Sequence, residues 1–320
     1  MYVIASPGLS LSAFSVRCVG ANHALISCKK IYAIHQMENI IIVVALLLLL
    51  LLLISNVKRL LWVELKPQQD PIPEHEPGEI PKIIWTFWDS NLISKLVDKC
   101  FKTFKQLNPG WSLVILTPGN FREYTEDDVM SYRHAKTPQQ IADFIRLAVL
   151  DKHGGVWCDA SILMTQPLDE WLPKCDYIGF YIDKTTTRRE YPVIENWFMA
   201  CTPHNKFVGA WKKEFNRMNN FTSTREYVNN VKSAGVDIQK IDRNYLTMHV
   251  AAQYVMQIHM TPNSITDELR LLKADDGPLK ILKTGPVDID PTTLPMIKFI
   301  GSHRDEVDRS RFLSDKFSLD

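Results

Sequence analysis

Residues 142–161 read ADFIRLAVLDKHGGVWCDAS: an amphipathic helix, a glycine turn and a short apolar strand in one uninterrupted run. The segment Thr137-Pro138-Gln139-Gln140 ahead of it is a helix start, with a capping Thr, a Pro at the first helical position and a Gln three residues after the cap. Ile141, Phe144, Ile145, Ala148 and Val149 then recur at helical spacing and face a core. Asp143 and Arg146, three residues apart, share a different face of that helix. Gly154 suits the left-handed position beyond a helix end, and Val156-Trp157-Cys158 reads as a buried strand that carries Asp159 to its C-terminal tip. Open α/β sheets bind their ligands at such tips.

Working outward, strand and helix patterns alternate. Lys82 to Phe87 predicts a strand, and Leu92, Leu96, Cys100, Phe104 and Leu107 stripe a helix. Further strands are expected at 112–116, 177–181 and 197–201, and further helices at 204–218 and 245–258. This alternation predicts the α/β class, with a mainly parallel sheet flanked by helices. Near the other end, nineteen residues from Asn39 to Val57 carry no charge. As a helix they rise about 28 Å, close to the hydrocarbon thickness of a bilayer. The residues that follow, Asn56, Lys58, Arg59 and Trp62, do not make the small-residue cleavage site of a signal peptide, so a retained transmembrane helix over 37–58 is expected. Lys29 and Lys30 precede the span, and Lys58, Arg59 and Lys66 follow it, which leaves the domain's side of the membrane open. Residues 1–36 are an N-terminal extension of uncertain role, and Met37-Glu38 stands where a translation start would. Residues 59–79 are Pro-rich and polar and read as a stem, leaving 80–320 as the globular domain.

With 46% hydrophobic residues the chain can bury a sizeable core, and 37 basic against 36 acidic residues leave no bulk charge for nucleic acid. The six cysteines form no CxxC pair or metal spacing and read as reduced thiols, with Cys175 and Cys201 as the alternative pair in an oxidising lumen. Asn220-Phe221-Thr222 is a glycosylation acceptor only if the domain is lumenal. Gly154-Gly155 lacks the pattern of a phosphate loop.

Four blocks together resemble a known family. Ile80-Pro81-Lys82-Ile83-Ile84-Trp85-Thr86-Phe87-Trp88, Leu107-Asn108-Pro109-Gly110-Trp111, the 142–161 segment and Glu195-Asn196-Trp197-Phe198-Met199-Ala200 are similar, in that order, to the DXD-containing glycosyltransferases of the family 32 type. These are related to yeast Golgi mannosyltransferases and, more closely, to bacterial capsular polysaccharide synthesis proteins. The likeness spans about Ile80 to His303 and departs from the strict motif at Ser161, which stands in place of the second carboxylate. The resemblance implies a GT-A-type nucleotide-sugar-binding fold, a nucleoside-diphosphate sugar as donor, a glycan or glycoconjugate hydroxyl as acceptor, and retention of anomeric configuration.

The chemistry then distributes itself over named candidates. A departing diphosphate needs positive charge, which a divalent Mn²⁺ or Mg²⁺ supplies as a Lewis acid; Asp159, Ser161 and His303 are the candidate metal ligands. Trp88, or Trp85, offers a flat face for the base. Asp143 accepts from ribose or sugar hydroxyls, and Arg146 offers a fork for phosphate or for positioning Asp143. Asn196, with Glu195 beside it, belongs to the acceptor-side block. Catalytic work is thus expected of Asp143, Arg146, Asp159 and Asn196. Each has a structural alternative: an ion pair within one helix for Asp143 and Arg146, a strand-end turn for Asp159, a cap or turn for Asn196. His153 reads as serving the helix end. A catalytically inactive carbohydrate- or nucleotide-binding relative is the alternative function, favoured by Ser161. A two-metal hydrolase would need a His/Asp-rich ligand set that the chain lacks.

Overall fold

The structure, a computed structural model, describes residues 22–66, 68–242, 246–284, 290, 293–301 and 304. The chain divides into two units between Leu60 and Leu61. The first is dominated by helix α1 (Asn22–Leu61), which is longer at both ends than the apolar run predicts. Within it Ile34–Ser55 is long and apolar enough to cross a membrane, and its leucines and isoleucines are exposed.

The second unit opens with β1 (Trp62–Glu64), β2 (Ile83–Phe87) and β3 (Leu92–Ser94). Strands β1 and β3 pair antiparallel, with Glu64 opposite Leu92. The expected helix from Leu92 therefore starts three residues later, as α2 (Lys95–Leu107), because the Ser94 hydroxyl caps it by accepting from the Val97 amide at 3.3 Å. Next come β4 (Ser112–Leu116), α3 (Pro138–His153), β5 (Gly155–Cys158), β6 (Ile162–Met164), α4 (Leu168–Trp171), β7 (Tyr177–Tyr181) and β8 (Ile194–Cys201). Helices α5 (Lys206–Arg217), α6 (Thr224–Ser233), α7 (Thr247–His259) and α8 (Pro262–Glu268) follow, then β9 (Arg270–Lys273), α9 (Ile281–Thr284) and β10 (Met296–Lys298).

Six strands form the main sheet in the order β4-β2-β5-β8-β7-β9. Three of its pairings, β2 with β4, β2 with β5 and β7 with β9, are parallel, as the strand–helix alternation predicts. Strand β8 runs antiparallel to both neighbours. Its direction matters for the site, since it lays Asn196 and Trp197 alongside the end of β5. The α/β class with helices on both faces is what the chain adopts.

Alternation along the strands explains the two faces. Ile83, Trp85 and Phe87 of β2 point into one core with α3, α5, α6 and α7, while Ile84 points into the other, with α2. Each such fully buried side chain contributes about 1.5–3 kcal/mol. The small antiparallel pair β6–β10 lies beyond, where Leu163, Ile297 and Phe299 pack with Leu96 and Cys100 of α2.

Within the Pro-rich segment, Gln68 and Asp70 are drawn onto the edge of the sheet. The Ile115 amide donates to the Gln68 carbonyl at 2.8 Å, the Leu113 amide donates to the Asp70 carboxylate at 2.9 Å, and Lys105 closes an ion pair with Asp70. Cys100, Cys158, Cys175 and Cys201 are free thiols.

Candidate functional site

Helix α3 begins as its sequence predicts: the Thr137 hydroxyl accepts from the Gln140 amide at 3.3 Å, and the Gln140 side chain accepts from the Thr137 amide at 3.1 Å. Its end is set by two glycines. The backbone of Gly154 has φ +62° and that of Gly155 φ +88°, and a Cβ on Gly155 would lie 2.3 Å from the Ile83 side chain. The Trp85 indole donates to the Gly154 carbonyl at 2.9 Å and is fully buried, so Trp85 braces the turn. His153 is half-buried beside it, its Nε2 2.7 Å from the Tyr124 carbonyl, and desolvation lowers its pKa.

This tight return sets Asp143 and Arg146 against the tip of β5. The Arg146 guanidinium is 3.1 Å from Asp143 Oδ1 and 3.4 Å from Asp159 Oδ1, and is itself almost entirely buried. It lies 4.9 Å from the centre of the Trp157 ring and donates to the Asn196 carbonyl. The Asn196 amide donates to Asp143 Oδ1 at 2.9 Å, and the Trp157 indole donates to Asp159 Oδ1 at 3.0 Å. Across the site Lys298 completes the set, its ammonium 2.7 Å from Asp159 Oδ2 and 3.0 Å from Ser161 Oγ. Charges thus alternate from α3 to β10: Asp143, Arg146, Asp159, Lys298.

The two carboxyls answer differently to this setting. Burial pushes Asp143 up from 3.8 to about 6, against the pull of Arg146 and His249. Burial also raises Asp159, but Lys298 and Arg146 outweigh it and hold its carboxyl below the ordinary value.

These residues wall a cavity of about 420 Å³. Trp88 and Asp89 line it from the end of β2, Thr137 to Gln140 from the amino end of α3, Asp143 and Arg146 from its second and third turns, and Asp159, Ser161 and Asn196 from the strand tips. Trp88 is only partly buried, and its indole donates to the Leu92 carbonyl at 2.9 Å. The expected site residues Trp88, Asp143, Arg146, Asp159, Ser161 and Asn196 therefore share one wall, while His303 lies outside the described residues.

The oxygens do not make a ready cation cradle. Both Asp159 oxygens and Ser161 Oγ already accept from Lys298, Arg146 or Trp157, and no group of three His, Cys, Asp or Glu suited to a metal occurs among the described residues.

The sequence profile of the capsular polysaccharide synthesis protein family matches residues 61–231, 171 of the 320 in the chain. The chain belongs to that family. Its matched region takes in β1 to most of α6, and with them Trp88, Asp143, Arg146, Asp159, Ser161 and Asn196, whereas α7 and β10 follow it. A probable glycosyltransferase of Fusarium pseudograminearum (strain CS3096) is 25% identical in an alignment that covers 45% of this chain and 41% of that one. The chain thus spans about two fifths of the length of this curated relative. Solved structures align with the chain at low identity. The PaToxG glycosyltransferase aligns over 73% of this chain and 86% of its own at 13% identity and a TM-score of 0.39. A glycosyltransferase involved in glycosylation of the major capsid of PBCV-1 aligns over 71% and 98% at 10% identity and a TM-score of 0.41.

Three residues at the site of this family member are not singled out by the sequence, two on the cavity wall and one behind it. His249, on α7, is 3% exposed, and neither ring nitrogen has a hydrogen-bond partner; Glu195 Oε2 is 3.9 Å from its Nε2. It lies in a helix whose apolar pattern reads as core, and only its pairing with Glu195 across the fold gives it away. Arg304 lines the cavity from beyond β10. Lys298 sits in the apolar run 296–300, where a lone lysine at a strand end was the available signal.

Proposed function

We propose that this chain is a GT-A-type glycosyltransferase that moves one sugar from a nucleoside-diphosphate sugar to a hydroxyl of a glycan or glycoconjugate, with retention of configuration. One observation carries the reading: Asp143, Arg146, Asp159 and Asn196, drawn from a helix and two strands, meet in hydrogen-bond contact at the wall of one cavity. An ion pair within a helix needs no such convergence, and no cavity.

In this reading Trp88 supplies an apolar face for the base. The amino end of α3 turns its positive pole toward a phosphate. Asp143 accepts from a ribose or sugar hydroxyl, and Asn196 and Arg146 hold its carboxylate in place. Raised to about 6, Asp143 is ionised at neutral pH and able to take up a proton from an acceptor hydroxyl at modest cost. Arg146 offers its remaining N–H groups to the diphosphate. The apolar helix Ile34–Ser55 holds the enzyme at a membrane. A second reading, a catalytically inactive nucleotide- or carbohydrate-binding relative, is favoured by Ser161 at the position of a second carboxylate.

A screen of UDP- and GDP-sugars for hydrolysis and transfer, with and without Mn²⁺, tests the assignment. Turnover of one donor, abolished by Asp143→Asn and Asp159→Asn in folded protein, is the expected result. Tight binding of a sugar nucleotide with no turnover of any donor supports the inactive relative, and unchanged turnover in both variants sinks the site.

A further inference from the structure

The carboxylate that should meet a metal ion meets a lysine. Antiparallel pairing of β10 with β6 sets Lys298 opposite Ile162, and the Phe299 amide donates to the Ser161 carbonyl at 3.0 Å, so Lys298 is fixed beside the 159–161 turn by backbone. Its side chain is 7% exposed and its ammonium spends two of three donors on Asp159 Oδ2 and Ser161 Oγ. Those two atoms are the ones a divalent cation would require. A buried lysine without a partner is costly, and the part-buried Asp159 supplies that partner; together they neutralise each other.

We propose that Lys298 takes the place of the divalent cation in this site. Its ammonium closes the Asp159–Ser161 pair against Mn²⁺ or Mg²⁺ and cancels the charge of Asp159, which would otherwise repel a diphosphate. The positive groups that line the cavity itself, Arg146 and Arg304, then receive the diphosphate directly. Lys298 is a positioning residue, since Asp159 and Ser161 stand between it and the cavity. The proposal deepens the sugar-nucleotide reading and rests on it for the identity of the ligand, but its chemistry concerns any diphosphate.

The test uses the full chain and three probes, UDP, GDP and inorganic pyrophosphate, in calorimetric titrations with EDTA or with Mn²⁺, alongside electron paramagnetic resonance of added Mn²⁺. The wild-type chain should bind at least one probe in EDTA with an affinity that Mn²⁺ changes by less than about twofold, and should leave Mn²⁺ free. Lys298→Gln should weaken that binding about tenfold or more, the scale of one charge-assisted contact, while Lys298→Arg retains it. Lys298→Ala should gain a Mn²⁺ signal that Asp159→Asn removes. Stoichiometric Mn²⁺ on the wild-type chain, lost in Asp159→Asn, overturns the proposal, as does binding of no probe in EDTA. The wild-type measurements decide even if a variant fails to fold. Lys298-dependent binding of pyrophosphate with no sugar nucleotide turned over leaves this proposal standing while the glycosyltransferase reading falls.

Discussion

The side-chain amide of Asn196 donates to Asp143 Oδ1 at 2.9 Å, joining a strand to a helix 53 residues earlier in the chain. The same carboxylate oxygen is 3.1 Å from Arg146, so Asp143 is held from two sides and has little freedom to rotate. Replacing Asn196 by Ala leaves the ion pair but frees one side of the carboxylate. Sugar transfer should fall about 10²-fold, the scale of a lost positioning contact at a reacting centre, while nucleotide affinity changes little. Asn196→Asp should be worse, because it sets a second carboxyl against Asp143. Equal losses of kcat and nucleotide affinity would contradict a positioning role.

Transfer should decline on the acid side as Asp143 takes up its proton, with an apparent pKa near the value of about 6 that burial gives it. Stability moves the other way. Because the folded pKa of Asp143 lies above 3.8, the native chain holds this proton more tightly than the unfolded one, and the benefit is full below about pH 4 and lost as pH rises to about 6. Two pKa steps correspond to about 3 kcal/mol. Asp143→Asn should remove this slope, while Asp159, lowered by Lys298 and Arg146, keeps the opposite loss in acid. Denaturant titrations of both proteins at pH 4.5 and 7 measure the difference; parallel pH dependences would show that Asp143 titrates at its ordinary value.

His249 makes no hydrogen bond inside the protein, and its nearest carboxylate oxygen, on Glu195, is 3.9 Å away. With neither ring nitrogen bonded and only 3% of its surface exposed, it costs stability as it stands. His249→Leu should therefore leave thermal stability unchanged or raise it by about 1 kcal/mol, yet weaken sugar-nucleotide binding or transfer about tenfold, since the residue lines the cavity with both ring nitrogens unbonded. Destabilisation with full activity would make His249 a packing residue.

At Gly155 a single methyl group should unmake the site's frame. The backbone has φ +88°, and the new Cβ would lie 2.3 Å from Ile83 Cγ2 and 2.8 Å from the Ile83 carbonyl oxygen. Gly155→Ala should cost about 3 kcal/mol or more, through left-handed strain and a collision inside the sheet. A melting temperature within about 2 °C of the wild type would show that the turn relaxes.

Removal of residues 34–55 should move the protein from the membrane pellet to the soluble fraction after carbonate extraction, with donor turnover retained. Release of the full chain by carbonate alone would mean that the helix is not a span.

The helix of the opening segment, its capping box and the Asp143–Arg146 face were legible because they rest on local spacing, and the structure keeps each of them. So were the strands at 112–116 and 177–181, where apolar runs end in turn residues. Leu92 misled because a stripe of apolar residues does not say where a helix begins; Ser94 does, through its hydroxyl. Strand β8 gave no hint of its direction, since an apolar strand buried on both faces reads the same either way. Lys298 was illegible for a related reason: its meaning comes from Asp159, 139 residues away, and no local pattern carries a contact over that distance. The resemblance favours Trp88 over Trp85 as the base-stacking candidate; in the structure Trp85 is enclosed and Trp88 lines the cavity.

The alternating row of charges that ends at Lys298 is also completed last during synthesis. A chain emerging from the ribosome exposes Arg146 and Asp159 while β10 is still unmade, and until then Asp159 has Arg146 and the Trp157 indole but no ammonium on Oδ2. The sheet of β4, β2, β5, β8, β7 and β9 can form first, with a polar breach at the tip of β5 that stays hydrated until Lys298 seals it. The last member of the charge row is thus supplied by the last strand of the described chain, Met296–Lys298.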